Sequence, residues 1–165
     1  MALTAYVFPS FIDALNAKSV HVTSDTLKVL LIASGTYTWN STAAGHVHVS
    51  DFLAGSGGGA LTEVSTSGTG YSRQTLTSVS TSDTFSSPHT YTSLVVGANP
   101  AWTSATFSAS YALFFDNTVG GTDSTNQLVA YWDFGGSQSV SSATFTLAMG
   151  SANSVSNTLV QWTSN

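Results

Sequence analysis

Apolar and polar residues alternate along much of the chain, and this alternation predicts β-strands. From Ala105 to Phe115 the odd-numbered positions are apolar or aromatic, whereas Thr106, Ser108 and Ser110 occupy the opposite face. A period of two residues is typical of a strand with one buried face. Short apolar runs between turn-forming residues predict further strands at Thr26–Ala33, Tyr71–Val79, Tyr91–Ala98, Leu128–Phe134, Ser142–Met149 and Asn157–Trp162.

Only the segment Pro9–Lys18 has helical spacing, with Phe11, Ile12 and Leu15 on one side and a proline that can open the first turn. No strand–helix–strand rhythm appears, which argues against a parallel sheet. We therefore expect an all-β fold over residues 1–165 as a single domain. It would be a single antiparallel β-sandwich (jelly-roll or Ig-like) or a small barrel, with one short N-terminal helix. Residues 1–9 are apolar and are predicted to form an N-terminal arm.

Few residues are charged, which indicates that hydroxyl groups make up much of the polar surface. Charged residues make up 7% of the 165 residues, with 3 basic against 8 acidic and a net charge of −5, whereas an ordinary domain has about a quarter. Abundant Ser and Thr suit a surface in an extracellular or assembled setting. Without a basic patch, nucleic-acid binding is not expected. The absence of cysteine excludes disulfides and thiolate metal sites, and the N-terminus predicts neither a secretory signal nor a membrane anchor.

The sequence GHVHVSD at 45–51 is the first candidate for chemistry. In an extended strand His46 and His48 point to the same face, and Asp51 follows, so these three residues are weak candidates for a metal site. A zinc site needs three or four ligands with supporting contacts, and His21 and His89 are isolated in the sequence. The preferred interpretation is two histidines that hydrogen-bond locally, and no metal or cofactor is expected.

The loop DNTVGGTDSTN raises the alternative of a calcium site, because Asp116, Asn117, Asp123 and Asn126 supply oxygen ligands. Asp and Asn are also ordinary turn formers, and this interpretation is preferred. No Gly-x-Ser-x-Gly nucleophile motif is present, and the glycine-rich sequence at 55–59 lacks the lysine of a phosphate-binding loop. We expect no catalytic residues, no enzyme activity and no small-molecule substrate.

The four tryptophans have two interpretations, a carbohydrate-stacking surface or ordinary filling of the core and of interfaces. Trp132 shares a strand face with Leu128 and Phe134 and is predicted to lie in the core. Trp102 lies close to Pro100 in a predicted loop and is predicted to be exposed.

Several blocks occur in an order that resembles a family of small structural proteins of tailed bacteriophages. Ser24–Leu31 resembles the family's D-T-hydrophobic-K-V strand, and Glu63–Val64 followed by Gly68–Arg73 is similar to its E-V…G-x-G-Y-x-R block. The resemblance runs from about Ala14 to Met149. Three later blocks resemble the family's W-x-x-A-T, Y-A-hydrophobic…D and Y-x-D-F-G strands, and they lie at Trp102–Phe107, Tyr111–Asp116 and Leu128–Gly135.

The resemblance implies a virion setting and a structural role. The main expectation is a capsid decoration or cement protein on the outer capsid surface of a tailed-phage head, assembled in the host cytoplasm. Its partners would be the major capsid protein and copies of itself, most often in a trimer, with no nucleic acid and no membrane. The alternatives are a tail or head–tail junction component and a virion-displayed adhesin or carbohydrate-binding module. His48 stands where the family often has an aromatic or acidic residue, so a two-histidine metal site is not a family feature.

Contacts with partners are expected in the loops Thr36–Asp51, Ala54–Ala60 and Asn117–Gln127. The individual residues predicted to lie in an interface are Tyr6, Phe8, Trp39, His46, His48, Phe52 and Trp102.

Overall fold

The computed structural model describes residues 4–37, 46–55, 60–86, 89–118, 121–152 and 155–164. The elements in chain order are β1 (Thr4–Val7), α1 (Pro9–Asn16), β2 (Leu27–Ser34), α2 (Val49–Ala54), β3 (Thr62–Glu63), β4 (Gln74–Thr75), β5 (Ser80–Ser86), β6 (His89–Val95), β7 (Ala101–Asp116), β8 (Gln127–Thr146), β9 (Gly150–Ala152) and β10 (Val155–Ser164).

The strands form two antiparallel sheets, neither of which closes into a barrel among the described residues. The main sheet has the order β1-β8-β7-β2-β3, and β4 also pairs with β2. The small sheet has the order β5-β6-β10-β9. Strands account for 53% of the described residues and helices for 10%. The predicted all-β class is confirmed.

The central strands of the main sheet are buried on both faces. Every residue from Tyr111 to Asp116 is buried, as is every residue from Leu128 to Trp132, and consecutive strand residues point to opposite faces. On one face Phe8 and Phe52 contact Tyr131. Residues of the small sheet, including Leu94 and Leu159, belong to the same hydrophobic cluster. The two sheets and both helices therefore share one core.

The strands predicted at Leu128–Phe134 and Ser142–Met149 belong largely to one strand, β8, which continues to Thr146. Asp133 pairs with Tyr111 but Gln138 pairs with Ala109, so β8 bulges between these pairs. Gly135 and Gly136 lie in the bulge with φ angles of 68° and 144°, which glycine adopts without steric cost. The two glycines therefore bend a continuous strand where two separate strands were predicted.

Three other predictions about the elements are corrected. Of the strand predicted at Tyr71–Val79 only β4 forms, and the side chains of Tyr71 and Arg73 before it belong to a polar network described below. The predicted single helix is joined by α2, which has only six residues. The N-terminal arm is wrong for residues 4–7, since β1 pairs with Ala130–Asp133 of β8. Residues 1–3 lie outside the described residues.

Candidate functional site

Five aromatic rings, contributed by β1, α2, β8 and two connections, form an aromatic cluster made of Tyr6, Phe8, Tyr37, Phe52 and Tyr131. Tyr6 stacks on Tyr131 with ring centroids 4.8 Å apart. Tyr37 lies 4.5 Å from Phe52 and 4.9 Å from Tyr131. Burial raises the pKa of the Tyr37 hydroxyl to about 12, so this phenol remains protonated at neutral pH. The cluster packs α2 against β1 and β8 of the main sheet.

The cluster brings together several residues predicted to contact partners, but it buries two of them. Phe8 and Phe52 are fully buried, so their prediction as interface residues is wrong. Phe8 enters the core because its backbone N–H continues the β1 pairing by donating to Val129, at 3.1 Å, and Phe52 because it lies on the inward side of α2. Tyr6 is half-buried and keeps part of its surface accessible.

His46 is held at the edge of the aromatic cluster. Its Nδ1 lies 2.7 Å from the Tyr37 hydroxyl, and its backbone oxygen accepts a hydrogen bond of 2.8 Å from the Ser10 hydroxyl. The protonated phenol of Tyr37 can donate to the imidazole nitrogen. His46 thus connects the start of α1 with the segment that leads into α2.

Asp51 belongs to the N-terminus of α2. Its Oδ2 accepts the backbone N–H groups of Val47 and His48, at 3.0 and 2.8 Å, which satisfies donors that the helix itself cannot pair. His48 Nδ1 lies 3.6 Å from the same oxygen. Across the described ranges, no three histidine or acidic side chains are grouped as they would be around a metal ion. His46 and Asp51 instead have separate hydrogen-bonding roles.

The most connected polar feature is a network of Tyr71, Glu63, Arg73 and Asp123. Arg73 donates from Nε and Nη2 to the carboxylate of Glu63, at 2.9 and 2.6 Å, and from Nη1 and Nη2 to that of Asp123, at 2.5 and 2.8 Å. The guanidinium also lies 5.6 Å from the ring centroid of Phe115. The planar guanidinium of arginine can donate two parallel hydrogen bonds to a carboxylate, which the ammonium of lysine cannot.

Tyr71 connects this network to the backbone of the main sheet. β2 pairs with β4 at Lys28 and Val29 and with β3 from Ile32 onward. Between them, the N–H of Leu31 donates to the Tyr71 hydroxyl at 2.9 Å, and that hydroxyl donates to Glu63 at 2.8 Å. The Tyr71 hydroxyl therefore takes the place of a strand partner for β2 between its pairings with β4 and β3. Burial and the neighbouring Glu63 carboxylate raise the pKa of Tyr71 well above its ordinary range, which keeps this donor in place.

The network also positions the loop 121–126. The backbone oxygen of Asp123 accepts the N–H of Ser50 at 2.9 Å, and that of Asn126 accepts the N–H of Val49 at 3.0 Å. Arg73 thus holds the loop that supports the first turn of α2. Both oxygens of Asp123 face Arg73, whereas Asp116 accepts the N–H of Thr118 at 2.7 Å. The described residues of the loop therefore form no acidic cluster of the kind that a calcium site requires.

Replacing Asp123 with asparagine is expected to weaken the acid dependence of stability. Hydrogen bonds from Arg73 hold the pKa of the Asp123 carboxyl below its usual range, whereas the unfolded carboxyl titrates near about 3.9. This stabilisation is present above the unfolded pKa and is lost as pH falls through the lower folded pKa. Urea unfolding between about pH 6 and pH 2 should show that the free energy of unfolding declines less steeply for Asp123→Asn than for the wild type. An identical slope in both proteins would contradict the role assigned to Asp123.

Replacing Asp116 with asparagine should change the pH dependence of stability in the opposite direction. Burial, assisted by the negative charge of Asp25, raises the pKa of the Asp116 carboxyl. A raised folded pKa gives stability that is present below the unfolded pKa and lost as pH rises through the folded pKa. Asp116→Asn keeps an oxygen for the Thr118 N–H and should raise the urea midpoint near about pH 7, with the gain disappearing in acid. A lower midpoint at neutral pH would show that the carboxylate is needed.

The tryptophans serve the core rather than an exposed stacking surface where the structure describes them. Trp102 is 1% exposed, so its predicted exposure and interface role are wrong. It is the second residue of β7 and donates its indole N–H to the backbone oxygen of Ser72 at 2.7 Å. The core position of Trp132 is confirmed at 2% exposed. Trp39 and the side chain of Trp162 lie outside the described residues.

Sequence reasoning did not anticipate the polar network as a unit. Glu63, Arg73 and Asp123 are separated by ten and fifty residues, so no local spacing links them. One signal was present, since Glu63, Tyr71 and Arg73 all lie in the segment that resembles the E-V…G-x-G-Y-x-R block. In this structure these positions support the fold, because their side chains hydrogen-bond one another and the backbone of β2.

Comparison of the chain with protein-family models, with curated proteins and with solved structures finds no match. Neither helix in the described ranges is long and apolar enough to cross a membrane.

Proposed function

We propose that this chain is a non-enzymatic virion protein that decorates the outer surface of a tailed-phage head and stabilises the shell. The family resemblance in the sequence supports the setting, and the distribution of charge supports the role. The partners in this proposal are the major capsid protein and further copies of the chain, with three copies in the favoured oligomer.

The observation that carries the proposal is the absence of charge over much of the β structure. Residues 84–115 and 134–165 contain no Asp, Glu, Lys or Arg. They supply most of the small sheet and the distal parts of β7 and β8, and many of their exposed side chains are Ser and Thr. A protein that stays monomeric usually has charge spread over its surface. An uncharged hydroxyl surface suits a protein whose neighbours cover it permanently.

The open edges of both sheets suit lateral contacts. In the described residues β1 is an outer strand of the main sheet, and β5 and β9 are the outer strands of the small sheet. Such edges can pair with strands of neighbouring chains. We infer that the two sheets stack as a β-sandwich, for which the jelly-roll and the Ig-like types remain the two alternatives.

The negative net charge favours the outer face of the head over the inner one. A chain with a net charge of −5 is repelled by packaged DNA. On the outer face it would act by burying apolar area at junctions between capsid subunits, at about 25 cal/mol per Å². Because each contact is repeated over the shell, small areas per copy give a large total stabilisation.

The test compares phage particles with and without this chain. Heads that lack it should release DNA at a lower temperature, and purified chain added back should restore the wild-type release temperature. Unchanged head stability with a failure of tail attachment would instead indicate a head–tail component. Unchanged stability with loss of adsorption to host cells would indicate an adhesin. Either result would contradict the decoration role.

A further inference from the structure

Two carboxyl groups meet at the end of the main sheet where β7 ends and β2 begins. Asp116, the last residue of β7, is 5% exposed, and its carboxyl lies within hydrogen-bonding reach of the carboxyl of Asp25, in the turn before β2. Two ionised carboxylates in such a position repel each other, whereas one proton between them turns the contact into a hydrogen bond. The contact is therefore favourable only when one of the two groups is protonated.

Backbone contacts bring these two carboxyl groups together. Leu27 of β2 pairs with Asp116, and the Asn117 N–H donates to the Thr26 backbone oxygen at 2.8 Å. The Thr26 N–H in turn donates to the Thr118 hydroxyl at 2.7 Å. These hydrogen bonds join the start of β2 to the connection between β7 and β8. Repulsion between the two carboxylates therefore acts directly on this junction.

No basic side chain in the part of the chain that the structure describes forms an ion pair with either carboxylate. Lys28 follows the residue that pairs with Asp116, so its side chain points to the opposite face of the sheet. Asp123, further along the β7–β8 connection, is bound by Arg73. The other titratable side chains on the surrounding elements are those of His21 in the turn and His48 before α2. The repulsion between the two carboxylates is therefore not offset by a paired cation within these ranges.

We infer that a proton bound to Asp116 and donated to Asp25 fastens the start of β2 to the β7–β8 connection in mild acid, and that loss of this proton near neutral pH loosens the junction. Asp123 responds in the opposite direction, because its hydrogen bonds from Arg73 require the ionised carboxylate. Burial raises the pKa of Asp116, whereas the hydrogen bonds from Arg73 lower the pKa of Asp123. Between these two values both contacts are intact, so the connection is held most firmly in mildly acid solution.

Amide hydrogen exchange measured by NMR, with rates corrected for the intrinsic effect of pH, tests the inference. The protection factors of the Thr26 and Asn117 amides should rise at least about fivefold from about pH 7 to about pH 4.5, the factor that corresponds to the repulsion of two like charges in contact in water. Asp25→Asn keeps an oxygen for the His21 N–H that Asp25 accepts, and its side-chain amide can donate to the Asp116 carboxylate. This variant should therefore show the higher protection already at neutral pH, with little further change in acid.

Asp13→Asn is the matched control, because it removes one carboxylate from an exposed position on α1. It should keep the pH dependence of the wild type. Carboxyl NMR titration gives a second readout, since the pKa of Asp116 should fall in Asp25→Asn, where the neighbouring negative charge is gone, and stay unchanged in Asp13→Asn. Protection that does not change with pH in the wild type, or that changes equally in Asp25→Asn, would overturn the inference.

Discussion

Phe52→Ala is expected to lower the free energy of unfolding by about 3–5 kcal/mol, the usual range for removing a buried phenyl ring. Phe52 is fully buried, and its ring contacts Phe8, Tyr37 and Tyr131 at centroid distances of 5.9, 4.5 and 5.5 Å. The cavity would lie between α2 and the main sheet. These neighbours come from two connections and from β8, and the backbone of each is fixed by its own contacts, so they can close the cavity only in part. Urea unfolding with fluorescence detection measures the loss.

The matched control is the same substitution at Phe85, whose ring is 72% exposed. In dilute solution, where association adds nothing to stability, Phe85→Ala should change the unfolding free energy by less than about 0.5 kcal/mol. Equal effects at the two positions would contradict the assignment of the aromatic cluster as the anchor of α2.

Arg73→Gln is expected to lower the free energy of unfolding by about 2–3 kcal/mol. Breaking a fully buried ion pair costs about 3–5 kcal/mol. The side chains of Arg73, Glu63 and Asp123 are 28%, 22% and 32% exposed, and solvent screening therefore reduces the loss of stability. The variant leaves two carboxylates facing each other without the cation that separates them. Amide hydrogen exchange should also increase at Ser50, because its N–H donates to the loop that Arg73 holds.

Lys28→Gln is the charge-matched control, since it removes one of the 3 basic residues without touching the polar network. Lys28 lies half-buried on β2 and makes no ion pair within the described ranges. Its substitution should change stability by less than about 0.5 kcal/mol. If Arg73→Gln were as mild as Lys28→Gln, the network would be a surface feature with no role in positioning α2.

The strands with the clearest alternation were predictable because their pattern reflects burial directly. β7 was anticipated from Ala105 to Phe115, and the run at Thr26–Ala33 corresponds to β2. Prediction was wrong where side chains perform backbone functions. Tyr71 begins a run that looks like a strand, but its hydroxyl replaces a strand by accepting the Leu31 N–H.

Local sequence was also misleading around α2 and Trp102. The alternation of His46 and His48 imitates a strand, although Asp51, three residues after His48, is a helix N-terminal signal. Pro100 suggested a loop around Trp102, yet the tryptophan lies in β7 and its indole N–H donates to the backbone oxygen of Ser72. Contacts between residues far apart in the chain decide both cases, and a single sequence does not encode them as a local pattern.

The copy number and position of this chain in the purified virion test the central claim most directly. Cryo-electron microscopy with quantitative mass spectrometry would provide both. The decoration role predicts copies arranged over the outer head lattice, in a fixed ratio to the major capsid protein, with the uncharged β surface in contacts. A single ring of copies at the portal or along the tail would contradict it.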